Sequence, residues 1–262
     1  MDSDQTWEFY GRNEPYFAVL TSPEFKTSEL NDETKARFFE SGAHYAELVL
    51  KHVRETLDPS FQPTRALDFG CGVGRLSFPI ARLCESVVGV DVSDSMLERA
   101  RSNAAAFGIT NATFVKGDDQ LSAVSGTFDF LNSLIVFQHI PPARGEAILQ
   151  KLVGLLREGG VGALQFTYSF ESSTPLPRKL LVRAYAKLPW LWNARNVMKR
   201  RPVGEPMMQM NEYDLNRLFR ILHEGGCHLI NTRYTETGSF GYRFYGVIIV
   251  FQKKRIAGAE HA

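Results

Sequence analysis

Acidic side chains are missing from one stretch of this 262-residue chain: none stands between Ser172 and Gly204. Eight basic residues do: Arg178, Lys179, Arg183, Lys187, Arg195, Lys199, Arg200 and Arg201, with Tyr185, Trp190 and Trp192 among them. Over the whole chain 30 Lys and Arg face 29 Asp and Glu. That balance gives no global signal for nucleic acid, so the electropositive character is local. Cysteine is scarce too. Cys71, Cys84 and Cys227 are an odd number without metal-ligand spacing, which argues against a disulfide framework or zinc module and points to a reducing, cytoplasmic setting. No apolar run is long enough to span a bilayer. The opening Met-Asp-Ser-Asp-Gln lacks the apolar core of a secretory signal. No internal repeat is present. With 44% apolar and 23% charged residues, the chain suits one α/β domain with embellishments.

Against these absences stands Ala66–Gly74, Ala-Leu-Asp-Phe-Gly-Cys-Gly-Val-Gly. Ala66–Phe69 reads as a short buried parallel strand. Gly70, Gly72 and Gly74 then permit a tight turn and close approach of backbone to a ligand. Arg75–Leu83 reads as a helix. Strand, glycine turn and helix make the nucleotide site of open α/β sheets, at the carboxyl end of the first strand. The spacing is G-x-G-x-G with Asp68 two residues ahead, not the G-x-G-x-x-G of dinucleotide folds. It resembles motif I of the class I S-adenosylmethionine-dependent methyltransferases.

The remaining elements follow in order. Residues 1–30 are aromatic and irregular, and Pro15 and Pro23 argue against one long helix. They read either as an arm packed on the domain or as a lid over cofactor and substrate. Asn31 or Asp32 caps an amphipathic helix running to about Leu57. Ser86–Val90 is a second strand ending in Asp91, whose carboxylate can accept two hydrogen bonds from ribose hydroxyls. Asp94 is expected to cap the next helix. Ala112–Lys116 is a third strand, and the acid after it, Asp118 with Asp119 beside it, is a candidate cap for a helix over 119–124. A fourth strand spans Phe128–Ile135. The helix Ala143–Leu156 is expected to close on a glycine cap at Glu158-Gly159-Gly160. Val161–Tyr168 is a fifth strand. After the basic stretch come a helix from Asn211 or Asp214, and strands over Cys227–Tyr234 and Arg243–Gln252. The tail from Lys253 is expected to fray.

The resemblance covers residues 60–168 well and 211–252 more loosely, and is nearest to the small-molecule type, similar to the quinone-biosynthesis methyltransferases. It implies an α/β fold: a Rossmann-like, seven-stranded, mostly parallel sheet with an antiparallel last strand, an N-terminal helical arm and a helical insertion after strand five. The implied organisation is an arm and helix over 1–60 as lid or cap, a methyltransferase domain over 61–252 with an insertion at 171–210, and a tail over 253–262. S-adenosyl-L-methionine is the implied cofactor. Asp68, Gly70, Gly72 and Gly74 would cradle it, and Asp91 would hold its ribose. Met96 would pack on the adenine or serve as plain core. Asp118, with Asp119 beside it, would take the adenine amino group. Ser133, at the end of the fourth strand, would pass under the methionine part. His139 is the candidate general base, with a structural role in starting the next helix as the alternative. No metal ligands are expected.

Strand four does not end in the Asp/Asn-Pro-Pro-Tyr/Phe of base-amino methyltransferases. No Pro-Cys nucleophile for pyrimidine C5 chemistry is present. The resulting expectation is methyl transfer to oxygen or nitrogen of a small or lipid-linked acceptor, which the basic insertion allows to be anionic. An NAD(P)-dependent oxidoreductase and a non-catalytic cofactor-binding scaffold are the alternatives. The basic, aromatic insertion reads as a substrate lid, a solvated cap or a peripheral membrane contact through 178–201, with Leu180, Leu181, Ala184, Leu188 and Leu191 as its apolar face. Monomer and homodimer both stay open.

Overall fold

The computed structural model describes residues 2–172, 189–198, 204–239 and 242–255. Its first elements are helices α1 (Ser3–Asn13) and α2 (Pro15–Val19), a 3-10 turn at Pro23–Phe25, and the long helix α3 (Asp32–Thr56). The core follows as β1 (Arg65–Phe69), α4 (Ser77–Ala81), β2 (Ser86–Asp91), α5 (Asp94–Ala106), β3 (Ala112–Lys116), β4 (Phe128–Ser133), α6 (Pro142–Leu155) and β5 (Leu156–Ser172). Then come α7 (Pro189–Met198), α8 (Leu215–Glu224), β6 (Cys227–Ser239) and β7 (Tyr242–Lys253).

The strands form one sheet in the order β3-β2-β1-β4-β5-β7-β6. β1 to β5 pair in parallel, and β7 runs antiparallel between β5 and β6. Both faces of the sheet are covered, so the inner strands read as near-continuous apolar runs. On one face Leu67, Leu131, Leu164, Val247, Ile249 and Phe251 meet Leu149 and Leu152 of α6 and Leu218 and Leu222 of α8. On the other, Ala66, Val87, Phe130, Ala163 and Val250 meet Val49, Leu50 and Val53 of α3 and Ile80 of α4. The chain reverses direction across the sheet between β1 and β4, which opens a crevice at their carboxyl ends.

Local chemistry explains where the structure departs from the sequence-based expectations. The first 30 residues are largely helical. Pro15 fits the first position of α2, where its missing N–H costs nothing, and so separates α2 from α1. Asn31 caps α3 in a reciprocal pair with Thr34. The helix expected over Arg75–Leu83 shrinks to Ser77–Ala81. Ser93, not Asp94, caps α5 by accepting from the Met96 N–H, while Asp94 pairs with Lys116. No helix forms over 119–124. Asp118 accepts from Gln120 N (2.9 Å) and Ser122 N (3.0 Å), and Leu121 turns left-handed at φ 54°. β4 stops at Ser133, and Ile135 takes φ 62°. Gly159 is not a helix cap: α6 ends at Leu155, Leu156 already pairs with Phe128, and Gly159 (φ 72°) lies where the register shifts. Lys253 does not fray but ends β7, its ammonium donating to the carbonyls of Val153 (3.0 Å) and Leu156 (2.8 Å) at the end of α6. Of the basic insertion, α7 with Leu191 and Arg195 is described. Leu180, Leu181, Ala184, Leu188 and the other seven basic residues lie outside the described residues. Among the described residues, no helix is long and apolar enough to cross a membrane.

Candidate active site

At the carboxyl ends of β1 to β4 lies a cavity with about 770 Å³ of space, counting its open mouth. Its floor is the glycine turn. Gly70 and Cys71 donate N–H bonds back to the Val90 carbonyl at 2.8 and 3.0 Å, so the turn lies against the end of β2. Gly70 holds φ 74°, and a Cβ there would come within 2.3 Å of Val136. Only glycine lets the turn pass so close to the segment after β4.

Asp91 ends β2 and lines the cavity. Its two oxygens accept from Gly72 N and Ser93 N, both at 2.9 Å. Burial pushes its carboxyl up to about 6 against the pull of those two bonds. Each oxygen keeps a lone pair beyond its backbone bond, which is the acceptor capacity a ribose diol requires. Around it the wall is apolar: Val92, Met96, Val136, Ile140 and Ile148. A mostly apolar slot with a few fixed polar groups suits a nucleoside, so these residues fit the adenosine of S-adenosylmethionine. Asp118 and Asp119 stand at the rim.

Of the sequence-predicted residues, Gly70, Gly72, Asp91, Met96, Asp118, Asp119 and His139 line this one cavity. Asp68, Gly74 and Ser133 do not. Asp68 is buried behind the turn, accepting from the Ser77 hydroxyl (2.6 Å) and the Asn132 amide (2.8 Å). It ties the ends of β1 and β4 to α4. Burial raises its pKa, opposed by those bonds and by Arg75. A Cβ on Gly74, at φ 92°, would strike the Phe78 ring at 2.4 Å, so this glycine serves packing against α4. Ser133 is fully buried and donates to the Phe69 carbonyl at 2.9 Å.

The roof is the arm. Ser3, Asp4 and Trp7 of α1 and Ala18 and Val19 of α2 close the cavity from above. Arg144, at the start of α6, holds the Asp4 carboxylate with two bonds of 2.7 and 2.9 Å, and bonds Asp119 at 2.7 Å. Glu8 accepts from the Ser93 hydroxyl (2.8 Å), the Ser95 hydroxyl (2.7 Å) and Ser95 N (3.2 Å). Its carboxylate therefore sits at the positive end of α5. Burial alone would raise its pKa, but the bonds from Ser95, Ser93 and Arg12 bring it down to about 2. Tyr10 donates to the Pro206 carbonyl at 2.8 Å, and Tyr16 to the Asn103 amide oxygen at 2.9 Å.

His139 is 6% exposed, with the edge of Trp7 against it at 4.9 Å between ring centres. Its Nδ1 lies 2.8 Å from the Gln209 carbonyl, which assigns the proton to Nδ1. Its Nε2 lies 3.2 Å from the Gln138 amide nitrogen, and the Gln138 oxygen accepts from Thr167. Both ring nitrogens are thus engaged, and burial lowers the pKa to about 4. At neutral pH the ring is uncharged. Sequence reasoning missed Arg144, Glu8 and Gln138. Arg144 and Glu8 find their partners far away in the chain, and the role of Gln138 depends on the fold bringing Thr167 to it.

Comparison with known proteins agrees with this architecture. Residues 66–160 match a family model described as "Methyltransferase domain". The "23S rRNA (uracil(1939)-C(5))-methyltransferase RlmD" of Shewanella sp. strain ANA-3 is 35% identical over 120 residues, 44% of this chain and 26% of that protein. The "Ubiquinone biosynthesis O-methyltransferase" of Parvibaculum lavamentivorans is 32% identical over 131 residues, 50% of each chain. The chain thus spans from a quarter to half of the length of these two relatives. Among solved structures, the magnesium protoporphyrin IX methyltransferase of Synechocystis PCC 6803 with bound SAH superposes with a TM-score of 0.59 at 20% identity, covering 94% of this chain and 99% of that one. Residues 66–160 are thus similar to a methyltransferase domain, and the chain shares its sheet architecture with a solved methyltransferase.

Proposed function

We propose that this chain transfers the methyl group of S-adenosylmethionine to oxygen or nitrogen of a small or lipid-linked acceptor, an anionic one included. The observation that carries the reading is the Asp91 carboxylate, held by two backbone N–H groups at the end of β2 and facing an apolar slot. Gly70, Gly72 and Asp91 would hold the cofactor from below, and Met96 would lie against its base. When bound, the sulfonium supplies an already activated methyl group. The protein's part is then to align the acceptor and keep water out, which can supply ~7–11 kcal/mol of the barrier reduction. The arm does this by closing over the slot, clasped by Arg144.

His139 fits a positioning role better than that of a proton acceptor. Its Nδ1–H is given to Gln209, and its Nε2 lone pair faces the Gln138 amide. It would hold the 206–211 segment against the cavity wall. A profile of kcat against pH that is flat from 6 to 9 and unchanged in His139→Asn supports this role. A limb present in the wild type and lost in the variant makes it the base.

Oxygen or nitrogen is favoured over a pyrimidine carbon because a carbon of that kind needs covalent activation by a nucleophile such as a thiolate. Cys71 and Cys227 are buried, Cys84 is partly so, and none of the three lines the cavity. Calorimetric titration with S-adenosylmethionine, S-adenosylhomocysteine and NADH tests the cofactor. Micromolar binding of the first two alone is expected. Binding of NADH alone would refute the reading.

A further inference from the structure

Helix α7 is turned inside out. Trp190, Ala194, Val197 and Met198 recur at i, i+4, i+7 and i+8 and so form one stripe. That stripe is wholly apolar and faces outward: Trp190 is 65% exposed, Val197 59% and Met198 84%, with Ala194 exposed between them. The inward face is polar. Asn196 is fully buried and donates to the Glu205 carbonyl at 3.0 Å, as the Trp192 indole does at 2.6 Å. The Asn193 side-chain oxygen accepts from Gly204 N at 3.1 Å. A helix packed as a solvated cap would bury the stripe and expose the asparagines. Here hydrogen bonds to 204–205 fix the opposite orientation.

We propose that this stripe docks the protein on the surface of an anionic lipid bilayer. The surrounding sequence supplies the charge complement. Arg178, Lys179, Arg183 and Lys187 precede the helix, Lys199, Arg200 and Arg201 follow it, and no acidic residue stands from Ser172 to Gly204. Apolar side chains with a tryptophan, framed by cations, match the boundary between anionic headgroups and acyl chains. The same cations oppose the two other occupants. A second copy would bring two basic stretches together. RNA would use the cations and the indole, but an exposed Val197 and Met198 offer nothing to phosphate or base edges.

The docking helix also leads to the cavity. Within the segment from Gly204 to Asn211, Pro206 accepts from Tyr10 of the arm, Met208 packs against the arm's core, and Gln209 accepts from His139. A bilayer contact at α7 thus lies next in sequence to a segment that touches the roof and the cavity-lining His139, where a lipid-linked acceptor would enter. This last point rests on the methyl-transfer reading; the docking itself does not.

The test is flotation of the full chain with vesicles of phosphatidylcholine alone or mixed with phosphatidylglycerol, without cofactor. Binding to the anionic vesicles only, weakened by high salt, is expected. The triple variant Trp190→Ala, Val197→Ser, Met198→Ser, and separately Arg200→Glu with Arg201→Glu, should each lower partitioning by about tenfold or more. An unchanged melting temperature and far-ultraviolet circular dichroism would certify that the variants fold. No vesicle binding by the wild type, or equal binding to both lipid mixtures, would overturn the proposal. So would dimerisation in solution, or binding to single-stranded RNA, that the triple variant abolishes.

Discussion

Beneath the cavity, the glycine turn is fixed by backbone N–H groups that bond to β2 and to the Asp91 carboxylate. Above it, α1 rests on side chains: Arg144 on Asp4, the two serines on Glu8, Tyr10 on Pro206. The floor belongs to the sheet and moves only if the sheet does. The roof packs through its aromatic cluster, and its polar attachments are few, each of which a single substitution removes. Under the proposed methyl transfer, such a floor would hold the cofactor and such a roof would admit the acceptor when the clasp opens.

Breaking the floor should cost most. Asp91→Ala removes the acceptor for two backbone groups and for the ribose. S-adenosylhomocysteine affinity is expected to fall about a hundredfold, roughly 3 kcal/mol, by calorimetry. A loss under threefold would show that the ribose is held elsewhere. In the wild type, affinity should weaken as pH drops below about 6, where Asp91 takes up a proton.

The wall between floor and roof responds to acid through His139. Its folded pKa of about 4 lies below the ordinary value, so the unfolded chain binds the extra proton first. Stability from this group is therefore intact above about pH 6.5 and is lost as pH falls toward 4, by about 3 kcal/mol. Asp91, whose folded pKa is raised, acts with the opposite sign over nearly the same range. The two offset each other in the wild type. Urea unfolding of His139→Asn against wild type at pH 7 and pH 4.5 separates them: the variant should lose less stability on acidification.

Breaking the clasp should cost less. Arg144→Ala frees Asp4 and Asp119 of a partly buried pair, worth about 1–2 kcal/mol. The sharper readout is exchange: amide protection across Ser3–Asn13 should fall while that of β1 and β4 stays. Loss in both would mean that roof and floor are one unit. Glu8→Gln, smallest, leaves the serine contacts but removes a charge from the head of α5. About 0.5–1 kcal/mol, or roughly 1–4 °C in melting temperature, is expected.

The same division governs what the sequence made legible. β1, β2 and β3, the glycine turn and Asp91 could be read because their signals are local: a short apolar run, glycines at alternate positions, an acid ending a strand. Met96 and the acids after β3 were placed by the family resemblance. Asp68 and Gly74 share the glycine-turn motif, and Ser133 came from the same resemblance at the end of β4, but all three brace the floor from behind. Helix edges failed where a hydroxyl out-competed a carboxylate, as Ser93 did Asp94. They failed also where a strand began within a residue of a helix end, as at Leu156. The roof was legible only as aromatic residues with prolines. Arg144 with Asp4, or Glu8 with Ser95, are partners 140 and 87 positions apart, and only the assembled fold brings them together.

Those separations also set an order in time. The arm precedes the sheet in sequence, yet Tyr10 finds its acceptor 196 residues later and Ser3 finds its own 136 later. As the chain leaves the ribosome, Tyr16 and Phe25 can meet Phe38 of α3 early, but Ser3 and Tyr10 have no acceptor until most of the sheet has been made. The strands and the glycine turn can assemble first, as neighbours in sequence. The last bond of the roof, from Tyr10, is available only to a chain synthesised as far as Pro206.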